Sequence, residues 1–128
     1  MSVNTHILLV DDDASLRATL RTCLEMADYH CMEAKDGYDA RDWLEKGHPI
    51  DLIVIEHQML RVSGLDLING LKSQVNTKTI PSIFYAGQLT GDLKSQAIQP
   101  GLSAVLEKPF PINEFLDLVA EICEKTVK

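Results

Sequence analysis

The chain has 128 residues, 45% of them hydrophobic, which is enough for one domain (residues 1–128) with a substantial core. Twelve Lys and Arg against nineteen Asp and Glu give a net charge of -7. That balance argues against direct nucleic-acid binding, which rests on neutralising phosphates, and suits a metal cation or a basic protein partner.

His6 to Val10 is a short apolar run, read as the first strand, and Asp11-Asp12-Asp13 ends it. Asp13 is placed to cap a helix whose apolar positions Leu16, Leu20, Cys23, Leu24 and Ala27 recur at helical spacing. His30 to Ala34 is a weaker second strand. Asp36-Gly37 signals a turn, and Ala40, Trp43 and Leu44 give a short helix ending at Gly47. Leu52 to Ile55 is continuously apolar, as a strand buried on both faces would be, and Glu56 follows it. Gly64 opens a third helix carrying Leu67, Ile68 and Leu71. Ile80 to Tyr85 is the fourth strand, with Pro81 at its start. Between Gly87 and Gln99, Leu89, Leu93 and Ala97 permit a helix that the glycines weaken. Pro100-Gly101 turns the chain into a fifth strand, Ala104 to Leu106. The last helix keeps one stripe of Ile112, Phe115, Leu116, Val119, Ile122 and Cys123.

Alternating strands and helices with short connections mean a parallel α/β sheet covered on both faces, for which a flavodoxin-like order fits the size. The carboxyl ends of parallel strands share one edge, where ligands bind in such folds. The first strand brings Asp11 and Asp12 to that edge, and the third brings Glu56. The fourth brings Ala86-Gly87, and the fifth Glu107-Lys108-Pro109. Each acid taken singly could simply cap a helix or meet water. Together they repel one another unless neutralised, and carboxylates with a backbone carbonyl suit a hard ion such as Mg²⁺. Lys108 can pair with Glu56 or with a phosphoryl oxygen.

Asp11-Asp12 after an apolar strand, a carboxylate after Asp-Leu-Ile-Val-Ile, Gly64 eight residues on and Lys108-Pro109-Phe110 before an amphipathic helix resemble the receiver domain of two-component response regulators. The resemblance covers nearly the whole chain. It implies a five-stranded parallel sheet of order 2-1-3-4-5 and phosphoryl transfer from a histidine kinase to an aspartate with Mg²⁺. It also implies a surface on the fourth helix, fifth strand and fifth helix that shifts in response. By position, Asp12 resembles the direct Mg²⁺ ligand, and Asp11 its partner acting through water. Gln58 matches the ligand by backbone carbonyl, and Lys108 the phosphoryl contact. With Glu56 these form the expected metal set Asp11, Asp12, Glu56 and Gln58, binding Mg²⁺ weakly.

The chain departs from the family pattern in its switch. The phosphoacceptor position holds Glu56, the hydroxyl position Ala86, and the aromatic position Val105; Leu60 replaces a usual proline. Glutamate displaces the attacking oxygen by about 1 Å, a misplacement worth on the order of a hundredfold in rate. Ala86 removes a charge-assisted hydrogen bond of roughly 1.5–3 kcal/mol. Val105 offers no ring to swing. The expectation is a degenerate, or pseudo-, receiver that is not an enzyme. It would be locked in one state, signalling through a histidine kinase, an output domain or another protein, with homodimerisation through the last strand and helix. Two alternatives are a working receiver that phosphorylates Glu56 with Mg²⁺ and a small Mg²⁺-dependent phosphohydrolase.

His57 reads as an exposed loop imidazole and Trp43 as core packing. Tyr85 could replace the missing hydroxyl, but its alternation with Ala86 opposes that. Cys23, Cys31 and Cys123 have no metal-ligand spacing and read as reduced thiols in a cytoplasmic protein. No signal segment, membrane-length apolar run, Gly-rich phosphate loop or Ser-His-Asp set is present in the sequence.

Overall fold

A computed structural model describes residues 5–59, 62–88, 90–97 and 102–126. Leu60, Leu89 and Pro100-Gly101 lie outside the described residues. Five strands alternate with five helices: β1 His6–Val10, α1 Ala14–Met26, β2 His30–Ala34, α2 Gly37–Glu45, β3 Leu52–Glu56, α3 Gly64–Lys72, β4 Ser82–Ala86, α4 Gly91–Ala97, β5 Leu102–Glu107 and α5 Ile112–Thr126. All pairings are parallel and the order is β2-β1-β3-β4-β5, the flavodoxin-like arrangement that the resemblance implied.

Alternation along the strands divides the core into two layers. Ile7, Leu9, Leu52, Val54, Ile83 and Tyr85 pack with α1 and α5 through Leu20, Leu24, Phe115 and Val119. Leu8, Val10, Ile53, Ile55 and Phe84 pack on the other face with Ala40, Leu67, Ile68 and Leu71. Trp43 is a partly buried neighbour of this second layer, and its indole N–H donates to the Glu33 carbonyl (3.1 Å).

Caps set the helix starts. The Asp13 carboxylate accepts from the Ser15 and Leu16 N–H groups, as expected from the sequence. Asp36 and Ser63 serve α2 and α3 in the same way. The glycines expected to weaken α4 fall outside its interior. Gly91 is its first residue, where an interior penalty does not apply, and the Thr90 hydroxyl accepts from the Leu93 N–H (3.1 Å). Pro81 falls just outside β4, and β5 runs longer than the apolar run alone predicted. Burial raises the Cys31 thiol to about 12 and the Cys123 thiol to about 11, so both are inert at neutral pH.

Two local arrangements aim the carboxyl edge. Gly64 packs directly on the strand end: a Cβ there would lie 2.8 Å from the His57 Cα and collide with the Glu56 carbonyl oxygen. Its N–H donates to the His57 carbonyl (2.9 Å), closing the loop after β3. On the other side, Arg17 of α1 donates to the Glu33 carboxylate of β2 (2.7 Å) and to the Asp11 carbonyl (2.6 Å), while Arg21 reaches the other Glu33 oxygen (2.7 Å).

Gly64→Ala should therefore cost about 2–3 kcal/mol or more, because the obstacle is backbone and cannot rotate away; urea unfolding measures it. Glu33 predicts a pH effect. Arg21 foremost, helped by Arg17 against the upward push of burial, holds its carboxyl below the usual 4.5. The resulting stability is present above the unfolded-state value and is lost as pH falls through the lower folded value. Glu33→Gln should lose about 1 kcal/mol at neutral pH, and its unfolding curve should converge with that of the wild type in strong acid.

Candidate functional site

Three strands deliver charge to one edge of the sheet. Glu56 ends β3 and Asp11 follows β1, and each is only 1% exposed. Isolated carboxylates are not stable at such depth, so the donors around them define the site. Asp11 Oδ1 accepts from the Asp13 N–H (2.8 Å), and its Oδ2 accepts from the phenol of Tyr85. Glu56 Oε1 accepts from the Gln58 N–H (3.1 Å), and Lys108 Nζ lies 2.8 Å from Oε2. Lys108 itself is fixed by its N–H, which donates to the Ala86 carbonyl (2.8 Å). Of the strand-end residues grouped from the sequence, Glu56, Ala86 and Lys108 are joined by direct contacts, and Asp11 acts on Glu56 through its charge. Asp12 is exposed and lines an adjoining open hollow of about 450 Å³ with His57, Gln58, Met59 and Ser63.

The electrostatics follow from burial. Desolvation pushes the Glu56 carboxyl above its usual range; Lys108 and the Gln58 N–H pull it back, and Asp11 adds to the upward push. Desolvation and the neighbouring Asp11 carboxylate also raise the Tyr85 phenol far above its ordinary range, so it remains a donor.

Tyr85 is the residue that sequence reasoning undervalued. Alternation does send it away from Ala86, but the same alternation puts it on the face of Asp11 and Glu56. Leu9 and Val54, two residues before those acids, share a core layer with Tyr85, and Glu56 pairs with Tyr85 in register. The signal was present as parity across three strands. His57 departs from the exposed imidazole expected of it. It is half-buried, with its ring tilted against Phe84 (5.4 Å between centroids) and its Nδ1 enclosed. Asp51 stands at the amino end of β3, remote from the pocket, where its carboxylate accepts from the His6 N–H (2.8 Å).

The residues offered for Mg²⁺ do not assemble a cation cage as they are arranged. Both Asp11 oxygens accept hydrogen bonds, both Glu56 oxygens face donors, and Asp12 points to the outer hollow. Among the described residues, no three His, Cys, Asp or Glu side chains form a group suited to a metal ion. Val105 is half-buried against the core layer of Phe84, its register partner in β4.

Comparisons with known proteins agree with this architecture. Residues 7–120 match the response regulator receiver domain family. The chain is 32% identical over 124 residues to the phosphate regulon transcriptional regulatory protein PhoB of Pseudomonas aeruginosa, covering 97% of this chain and 54% of PhoB. It therefore spans about half the length of that relative. It is 27% identical to the chemotaxis protein CheY-3 of Vibrio cholerae, covering 94% of this chain and 95% of CheY-3. Among solved structures, the receiver domain of the Francisella response regulator 1452 superimposes with a TM-score of 0.87 at 26% identity, covering 96% of this chain and 99% of that one. Receiver domains are signalling modules that interact with histidine kinases and output domains and generally bind Mg²⁺ at their acidic pocket. Among the described residues no helix is long and apolar enough to cross a membrane. Fold, edge chemistry and sequence likeness converge, and the chain belongs to the response regulator receiver domain family of two-component signalling.

Proposed function

We propose that this receiver domain acts by binding protein partners in one fixed state, without a phosphorylation cycle. The carrying observation is the Lys108–Glu56 ion pair, 2.8 Å long with the Glu56 side chain 2% exposed. In this reading Glu56 occupies the phosphoacceptor position and Lys108 the phosphoryl-contact position. The pair holds the lysine where a phosphoryl group would otherwise draw it. Ala86 and Val105 occupy the two switch positions, one without a hydroxyl to sense phosphate and one without a ring to move. A carboxylate one methylene longer than aspartate partly imitates the phosphorylated state, but it lacks the additional charge and acceptor oxygens of a phosphoryl group.

The partner surface in this reading is formed by α4, β5 and α5. It would bind a histidine kinase, an output domain or another signalling protein, or a second copy through β5 and α5. The acidic composition of the chain favours a basic counterpart.

Incubation with Mg²⁺ and acetyl phosphate should leave the intact mass unchanged; a substantial adduct of about 80 Da mapped to Glu56 would restore the working-receiver reading. The ion pair is testable separately. Lys108→Met should destabilise the domain at neutral pH, and Glu56→Gln in the same chain should relieve most of that loss. Lys108 is 31% exposed, so screening limits the coupling in this double-mutant cycle to about 1–2 kcal/mol; additive losses would remove the pair as the lock.

A further inference from the structure

Every oxygen of the two buried carboxylates faces a donor from within the chain, Glu56 Oε2 through an ion pair with no hydrogen bond. A divalent Mg²⁺ site needs carboxylate and carbonyl oxygens converging at about 2.0–2.1 Å in octahedral geometry. Here the Tyr85 hydroxyl is bonded to Asp11 Oδ2, and the Lys108 ammonium faces Glu56 Oε2 at 2.8 Å. The remaining oxygen of each acid accepts a backbone N–H, from Asp13 and from Gln58.

We propose that Tyr85 and Lys108 stand in for the cation: the phenol occupies Asp11, the ammonium occupies Glu56, and the pocket excludes Mg²⁺ in consequence. This goes beyond the phosphorylation reading, because it concerns the metal alone and names Tyr85 as the determining residue.

The phenol is not free to swing aside. Tyr85 is 1% exposed and belongs to the α1 and α5 core layer. The Phe110 ring meets it edge-on (5.7 Å between centroids), and Lys108 Nζ lies 5.6 Å from its ring centroid. The same lysine therefore neutralises Glu56 and covers the ring that serves Asp11. A cation entering here would have to displace a buried hydrogen bond and an ion pair whose carboxylate is sheltered from water. Asp12, left at the rim of the outer hollow, supplies too few charged oxygens to hold the ion alone.

Titration of the full chain with Mg²⁺ alone, followed by backbone amide shifts at Asp12, Glu56 and Gln58, tests this. The wild type should show no saturable shift at millimolar Mg²⁺. Tyr85→Phe keeps the ring and its packing but frees Asp11 Oδ2, and should bind about tenfold or more tightly than wild type. Adding Lys108→Met should tighten binding further. Thermal melts verify that each variant is folded, and the isosteric Tyr85→Phe keeps the test decisive if the double variant is not. Saturable Mg²⁺ binding by the wild type would overturn the proposal, as would unchanged affinity in folded Tyr85→Phe. No phosphodonor is present, so either failure leaves the mass-spectrometric test of phosphorylation unaffected.

Discussion

Asp11 and Glu56 are carboxylates buried at the carboxyl edge of a parallel sheet, where the Asp11 charge adds to the proton affinity of Glu56. Burying even one such group without a partner is strongly unfavourable. The chain meets this constraint with a short inventory of donors: a phenol, an ammonium and two backbone N–H groups. Each donor comes from a different stretch of the chain. The site therefore exists only when β1, β3, β4 and the turn after β5 are all in register.

The scaffold around the pair reflects that demand. Gly64 is confined to hydrogen at its side-chain position because the loop after β3 folds back onto the Glu56 and His57 backbone. Arg17 ties the Asp11 carbonyl to α1 and, through Glu33, to β2, so the loop carrying the aspartates is held from outside as well as from within. Rigid support of this kind is what an acidic pocket needs, since a buried charge that loses its donor by a small shift bears the full desolvation cost.

The receiver family couples chemistry at this edge to a distant surface. In the reading proposed above, this chain alters the parts of that coupling together. Glu56 is internally paired with Lys108, β4 ends in Ala86, and Val105 packs with the Phe84 layer. A carboxylate already held by an internal lysine has less to gain from a phosphoryl group. A strand end without a hydroxyl has no means of registering one. These features favour the same reading, in which the surface is displayed constantly.

The amino-acid sequence alone determined the alternation of strands and helices, the residues of β1 and β2, the Asp13 cap and the membership of the acidic edge. All of these are written in local periodicity and in the rule that parallel strands end on one side. Strand order came from family likeness, because hydrophobic pattern carries no information on which strands are neighbours. Tertiary structure decided what the sequence could not: that Tyr85 crosses to Asp11, that His57 turns against Phe84, and that Lys108 is already engaged by Glu56. Those outcomes depend on the reach of side chains between neighbouring strands or across one intervening strand, a distance fixed by register and twist and invisible to spacing along a single chain.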